Sequence, residues 1–224
     1  MPTPSPTSAA GRRPNRRGES TRTHVLDVAL GLLSGGRPEA VSVNLVAREA
    51  GVTWGAVQYQ FGDADGLWAA TLGHILATAG PVVWAKPSTT STADRVAELV
   101  DLAWTALGSA YYTARTTLQS ALARTRAELA CDYPHTATAL DAVDETWAVQ
   151  FQAFLEDLPV DPAHIGAVCA FLPAALRGMH SEYVFGSRLD VDHALAGLRE
   201  AVTAYLMTTT EPTSVAPPRR GRKR

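Results

Sequence analysis

Two short helices joined at a glycine constrain this chain more than any other feature. They fall in residues 42–61, SVNLVAREAGVTWGAVQYQF. Ser42 suits an N-cap, its hydroxyl able to accept from a free backbone N–H of the first turn. Val43, Val46, Ala47 and Ala50 follow at helical spacing and define a face for a core. Gly51 falls where the helix must end and the chain reverse, which favours a residue tolerant of positive φ. Val52 plugs the turn, Thr53 caps the next helix, and Val57 and Phe61 lie on that helix's buried side. Thr53, Trp54, Gln58 and Tyr59 are left on or near the open side. An ordinary helical hairpin can carry the same caps and spacing. A capped helix crossing a second at a glycine turn is also the helix-turn-helix pattern, whose second helix fits the DNA major groove.

The flanks add to this. A helix from about Thr21 to Ser34 precedes the motif, and Gly62-Asp63-Ala64-Asp65-Gly66-Leu67-Trp68 leads into a fourth. In this order, residues 19–79 resemble the N-terminal domain of the TetR family of transcriptional repressors. The matching residues are Val25-Leu26-Asp27-Val28-Ala29-Leu30, Ala47-Arg48-Glu49-Ala50-Gly51-Val52-Thr53, Gly55, Phe61 and Leu67. Beyond residue 79 the likeness is only general. Gln58 stands where the family usually has Tyr, and Ala64 where a Lys usually opens the fourth helix. Both positions commonly contact phosphates in family members. Glutamine can still donate to a phosphate or pair with an adenine edge, whereas alanine can do neither.

The formal net charge of −2 conceals an uneven distribution. Arg12, Arg13, Arg16, Arg17 and Arg22 stand near the start, and Arg219, Arg220, Arg222, Lys223 and Arg224 close the chain. These hold ten of the 20 basic residues, while Glu19 is the only acid beside them, so the body carries −11. An acidic body with basic arms suits a polyanionic partner held through the arms. Residues 1–18 are Pro, Ser, Thr and Arg with almost nothing apolar, which predicts a flexible arm, and 211–224 a basic disordered tail.

The remainder reads as helices throughout. Stripes at Val96–Leu107, Leu118–Leu129, Leu140–Leu155, Ile165–Tyr183 and Leu195–Leu206 follow helical spacing, and no strand-like alternation appears. The expected fold is all-α, an N-terminal helix-turn-helix domain over 19–79 with its motif at 42–61, then a larger helical domain over 80–210. The resemblance implies that this second domain encloses a pocket for a small effector and forms a homodimer through its last two helices. Trp104, Tyr111, Trp147, Phe151 and Phe171 are the aromatic candidates for that pocket, although aromatics of this kind also simply fill cores. Arg177 and His180, three apart on an otherwise apolar helix, suit the polar end of a ligand, solvent or a partner subunit. Pro173 lies inside that helix and removes one backbone hydrogen bond.

No nucleophile elbow, P-loop, zinc-protease or dinucleotide fingerprint is present, and the six histidines are scattered. Cys131 and Cys169 stand apart, as free buried thiols do. No enzyme activity, metal or cofactor is expected. Without a leader or an apolar run of spanning length, a cytoplasmic protein with no membrane partner is expected. The expected function is a DNA-binding repressor released from a palindromic operator by a small ligand. Ser42, Thr53 and Tyr59 would hold phosphates, Asn44, Gln58 and Gln60 would meet base edges, and Trp54 would pack on sugar or a thymine methyl. A helical ligand-binding or interaction protein that has lost DNA binding is the rival reading, favoured by Gln58, Ala64 and the near-neutral motif surface.

Overall fold

The computed structural model describes residues 16–79, 87, 89–122 and 125–208. Arg12, Arg13 and the basic tail lie outside the described residues, as does the start of the second expected domain at residue 80. Among the described residues, ten α-helices and a 3₁₀ turn at Pro38–Ala40 account for the regular structure, and no strand occurs. The helices are α1 (Arg16–Leu33), α2 (Val43–Glu49), α3 (Trp54–Phe61), α4 (Ala64–Ala79), α5 (Thr92–Leu107), α6 (Ala110–Leu122), α7 (Arg126–Asp132), α8 (Pro134–Leu155), α9 (Pro162–Phe185) and α10 (Val191–Leu206). None of them is long and apolar enough to cross a membrane.

The chain forms two compact units. One combines the described residues up to Ala79 with Gly108–Val143, and the other combines those from 87 to Leu107 with those from Asp144 on. Residues 108–143, which the sequence reading assigned to the second domain, therefore pack with the N-terminal helices. Their apolar faces explain it. Ala114 and Leu118 of α6, Leu129 of α7 and Leu140 of α8 join Val25, Ala29, Leu33, Val46, Val57, Leu67, Trp68 and Leu72 in one buried cluster. Each fully buried leucine contributes about 1.5–3 kcal/mol, so these four-residue additions are a large part of what holds the small N-terminal helices. The buried Thr117 hydroxyl donates to the terminal carbonyl of α1 at Leu33, 3.2 Å away.

Helix α1 begins at Arg16, five residues earlier than its apolar pattern suggested. One helix was expected across Leu118–Leu129; α6 and α7 are separate. Thr125 and Glu128 form a capping box that starts α7 afresh. Asp63 accepts from Gly66 N at 2.8 Å and caps the start of α4. Asp65 does something else. Buried in the first turn of α4, it accepts from His135 N at 2.8 Å and Thr136 N at 2.7 Å, and so caps α8. Two free donors of α8 are thus satisfied from another helix.

In the second unit α5, α9, α10 and the end of α8 share a core of Val96, Leu99, Val100, Phe151, Leu155, Val168, Leu172, Leu176 and Val202. Asp161 caps α9 with Pro162 at its first position, and Asp190 caps α10. Helix α9 runs on through Pro173 and ends at Gly186, φ 78°. The buried Arg95 guanidinium donates to Thr89 O and Phe154 O and pairs with Asp157 at 2.5 Å, closing the end of α8.

Candidate nucleic-acid interface

The motif is built from its caps. Leu45 N donates to Ser42 Oγ at 3.3 Å, and Ala56 N to Thr53 Oγ1 at 3.2 Å. In both, the oxygen accepts while the hydroxyl proton remains for an outside acceptor such as a phosphate. Gly51, φ 65°, ends α2 in a Schellman arrangement, with Val52 N donating to Ala47 O and Gly51 N to Arg48 O. That closure sets the angle at which α3 leaves. Val57 is fully buried beneath α3, and Phe61 is half-buried.

The opposite side of α3 is open. Trp54 and Gln58, four apart, form one exposed row, and Gly55 with Tyr59 forms the next. Tyr59 is 88% exposed and Trp54 43%, unusual for large rings on a rigid helix. Asn44 on α2 is exposed as well, and Ser42 is half-buried. Gln60 does not join them. It is half-buried, and its amide donates to Gly18 O of α1 at 3.4 Å. Close charges nearly cancel, because Arg48 pairs with Glu49 at 3.1 Å in the open.

Arg22 is a residue that sequence reasoning misplaced, since it was counted only among the charges of the arm. It lies in α1, donates from Nη1 to Gln60 O at 2.7 Å, and sets its guanidinium carbon 4.4 Å from the Phe61 ring centroid. The signal was its phase: Arg22 precedes Val25, Leu26 and Ala29 by three, four and seven positions, so it shares their inward face. Gly66 was missed too. A Cβ there would stand 2.0 Å from Phe61 O, so only glycine lets α4 start this close to the end of α3.

The second candidate site divides. Tyr111 belongs to the N-terminal unit and packs on its core. In the other unit, Trp104 of α5 meets His180 of α9 edge-on, centroids 5.4 Å apart, with Tyr183 6.0 Å away. Burial pushes the His180 pKa down, favouring its neutral form. Arg177 is half-buried one turn earlier on α9. Trp147 stacks on Phe151, which is fully buried in the core. Phe171 stands apart from this group, exposed against Tyr205 of α10, which also meets His164. Tyr183, Val184, Phe185 and Met207 are further exposed apolar groups at the ends of α9 and α10.

No protein-family model matches the sequence, and no curated relative does. Solved structures do. A TetR-family transcriptional regulator from Streptomyces coelicolor aligns over 84% of this chain and 80% of its own, with TM-score 0.62 and 20% identity. The multidrug-binding protein EbrR, in complex with imidazole, aligns over 92% of this chain and 100% of its own, with TM-score 0.57 and 19% identity. The all-helical architecture, a glycine-closed helix pair near the start and these two alignments agree: the chain has the fold of the TetR-family transcriptional regulators.

Proposed function

We propose that the protein is a sequence-specific DNA-binding transcriptional regulator, a homodimeric repressor released from a palindromic operator by a small ligand. The observation that carries this reading is the open face of α3. Trp54, Gln58 and Tyr59 stand out from a helix whose other side is fixed by Val57 and by caps at both ends. Such a face lacks a reason in the folded monomer and suits a major groove. Thr53, Tyr59 and Ser42 are the phosphate contacts, Asn44 and Gln58 the groups for base edges, and Trp54 the apolar contact. Gln60, engaged with Gly18, supports the head from behind.

The exposed Phe171, Tyr205, Tyr183 and Phe185 on α9 and α10 support a dimer seam between two copies, and a single short recognition helix reads too few base pairs alone. For the effector, Trp104, His180 and Arg177 are the best-supported residues. They combine a ring edge, a neutral imidazole and a half-buried cation, which suits a small molecule with an aromatic body and a polar or anionic end. Its release of DNA requires tighter binding to the conformation that does not fit the operator.

Duplex binding measured against salt concentration tests the reading. Phosphate contacts release counterions, so the logarithm of affinity should fall linearly and steeply with the logarithm of salt. A flat response, or no binding at low salt, would favour the rival in which the helical body binds ligands only.

A further inference from the structure

We propose that Gly55 is a specificity-determining residue, whose bare backbone at the centre of the open face of α3 lets the helix sit deep enough for Asn44 and Gln58 to reach base edges. The inference rests on the DNA-binding reading above and names the position that limits the approach. Successive helical residues are turned by about 100°, so Gly55 and Tyr59, each two positions from Val57, point about 200° away from it. Val57 is 1% exposed and marks the inward direction. Gly55 and Tyr59 therefore stand at the middle of the outward face, with Trp54 and Gln58 along one side of it. Tyr59 is 88% exposed and Gly55 is itself exposed, so the ring does not lie over the gap. Gly55 also belongs to the first turn of α3, the part that a docked helix-turn-helix turns to the bases.

Nothing in the folded chain calls for glycine here. Gly51 and Gly62 have positive φ, at 65° and 84°, and an added Cβ at Gly66 would strike Phe61 O. Gly55 has neither constraint. Its φ is not positive, and an added Cβ would meet Thr53 Oγ1 at 3.9 Å, an ordinary contact. Alanine would fit and would favour the helix, because glycine loses more backbone freedom on ordering. Of these glycines, the one without an internal reason is the one on the outward face. A Cβ there would hold the helix off by about 1.5 Å, one carbon–carbon bond. Hydrogen bonds to base edges of about 2.9 Å would then stretch past about 3.5 Å, where they cease to count. Attraction between charges falls only as the inverse of distance, so base reading is lost before hold on the phosphates.

The test uses the full chain, a duplex recovered by selection from random DNA, and an unrelated duplex of the same length. Gly55→Ala should weaken binding to the selected duplex about tenfold or more, as losing one paired base contact does. Binding to the unrelated duplex, and its salt dependence, should stay near wild type. The melting temperature of this variant should equal or exceed that of wild type. Gly55→Leu, bulkier and still a good helix former, should erase the difference between the two duplexes. Gly31→Ala is the control, since Gly31 of α1 is also exposed and an added Cβ there meets nothing within 4 Å. It should be as stable as Gly55→Ala and bind both duplexes like wild type. Undiminished binding of Gly55→Ala to the selected duplex overturns the proposal. So does an equal loss on both duplexes, or a loss accompanied by a lower melting temperature, since either would make Gly55 a structural residue of the head. A wild type that distinguishes no sequence would instead remove the DNA-binding reading, and this one with it.

Discussion

At the scale of single residues, Gln58 is the most informative position to test on the proposed DNA-facing side of α3. It is exposed on the row with Trp54, where either a phosphate or an adenine edge is within its chemistry. If it pairs with adenine, Gln58→Ala should cost about 1–3 kcal/mol and relax preference at one position per half-site. A phosphate contact would instead weaken all sequences alike and flatten the salt slope. Competition against half-site variants separates the two, and unchanged affinity throughout would remove Gln58 from the interface. His180 gives a second residue-scale expectation. Its folded pKa is lowered by burial, so the unfolded chain binds the proton more readily. Its contribution to stability is present above the usual histidine range and is lost as pH falls through that range. Wild type should therefore lose more melting temperature between pH 7.5 and 5 than His180→Gln; equal losses would contradict the assignment. Residues such as Val57, Gly51 and Ser42 were legible in the sequence because caps, turns and core faces follow local spacing. The role of Gln60 was not, because its partner Gly18 lies 42 positions away and no periodicity reports it.

At the scale of elements, the junction of α3 and α4 has no room for a side chain at Gly66. An added Cβ at Gly66 would sit 2.0 Å from Phe61 O and 3.1 Å from its carbonyl carbon, both backbone atoms that cannot yield alone. Gly66→Ala should destabilise the protein by several kcal/mol, in the range of overpacked or strained sites, and weaken duplex binding by displacing α3. A melting temperature equal to wild type would show that the junction can open. The arm is the other element with a clear consequence. Deleting residues 1–15, which leaves α1 whole, should weaken binding to every duplex about equally and flatten the salt slope. Loss confined to the preferred site, with the slope kept, would mean that the arm reads bases. Helix boundaries were legible wherever Asp161-Pro162, Asp190 or Gly186 marked them. The break between α6 and α7 was not, since the apolar stripe continues across it and only the Thr125/Glu128 box records the restart.

At the scale of the whole molecule, the all-helical class followed from the 3.6-residue stripes, while the membership of residues 108–143 in the N-terminal unit did not. Sequence order makes α6 and α7 look like neighbours of α5, but their apolar faces complete the core around Trp68 and Leu72. Helices α2 and α3 are short and cannot bury enough surface alone; α6 packs against α1 and α4, which hold them. In the proposed function, a dimer of this scaffold presents two copies of α3 to DNA. Selection of bound sequences from a random duplex pool, with the full chain at moderate salt, tests it most directly. A dimer reading two half-sites should enrich an inverted repeat whose half-sites lie about one helical turn, or a multiple of it, apart. Recovery of no shared sequence, or of a single unrepeated site, would contradict it.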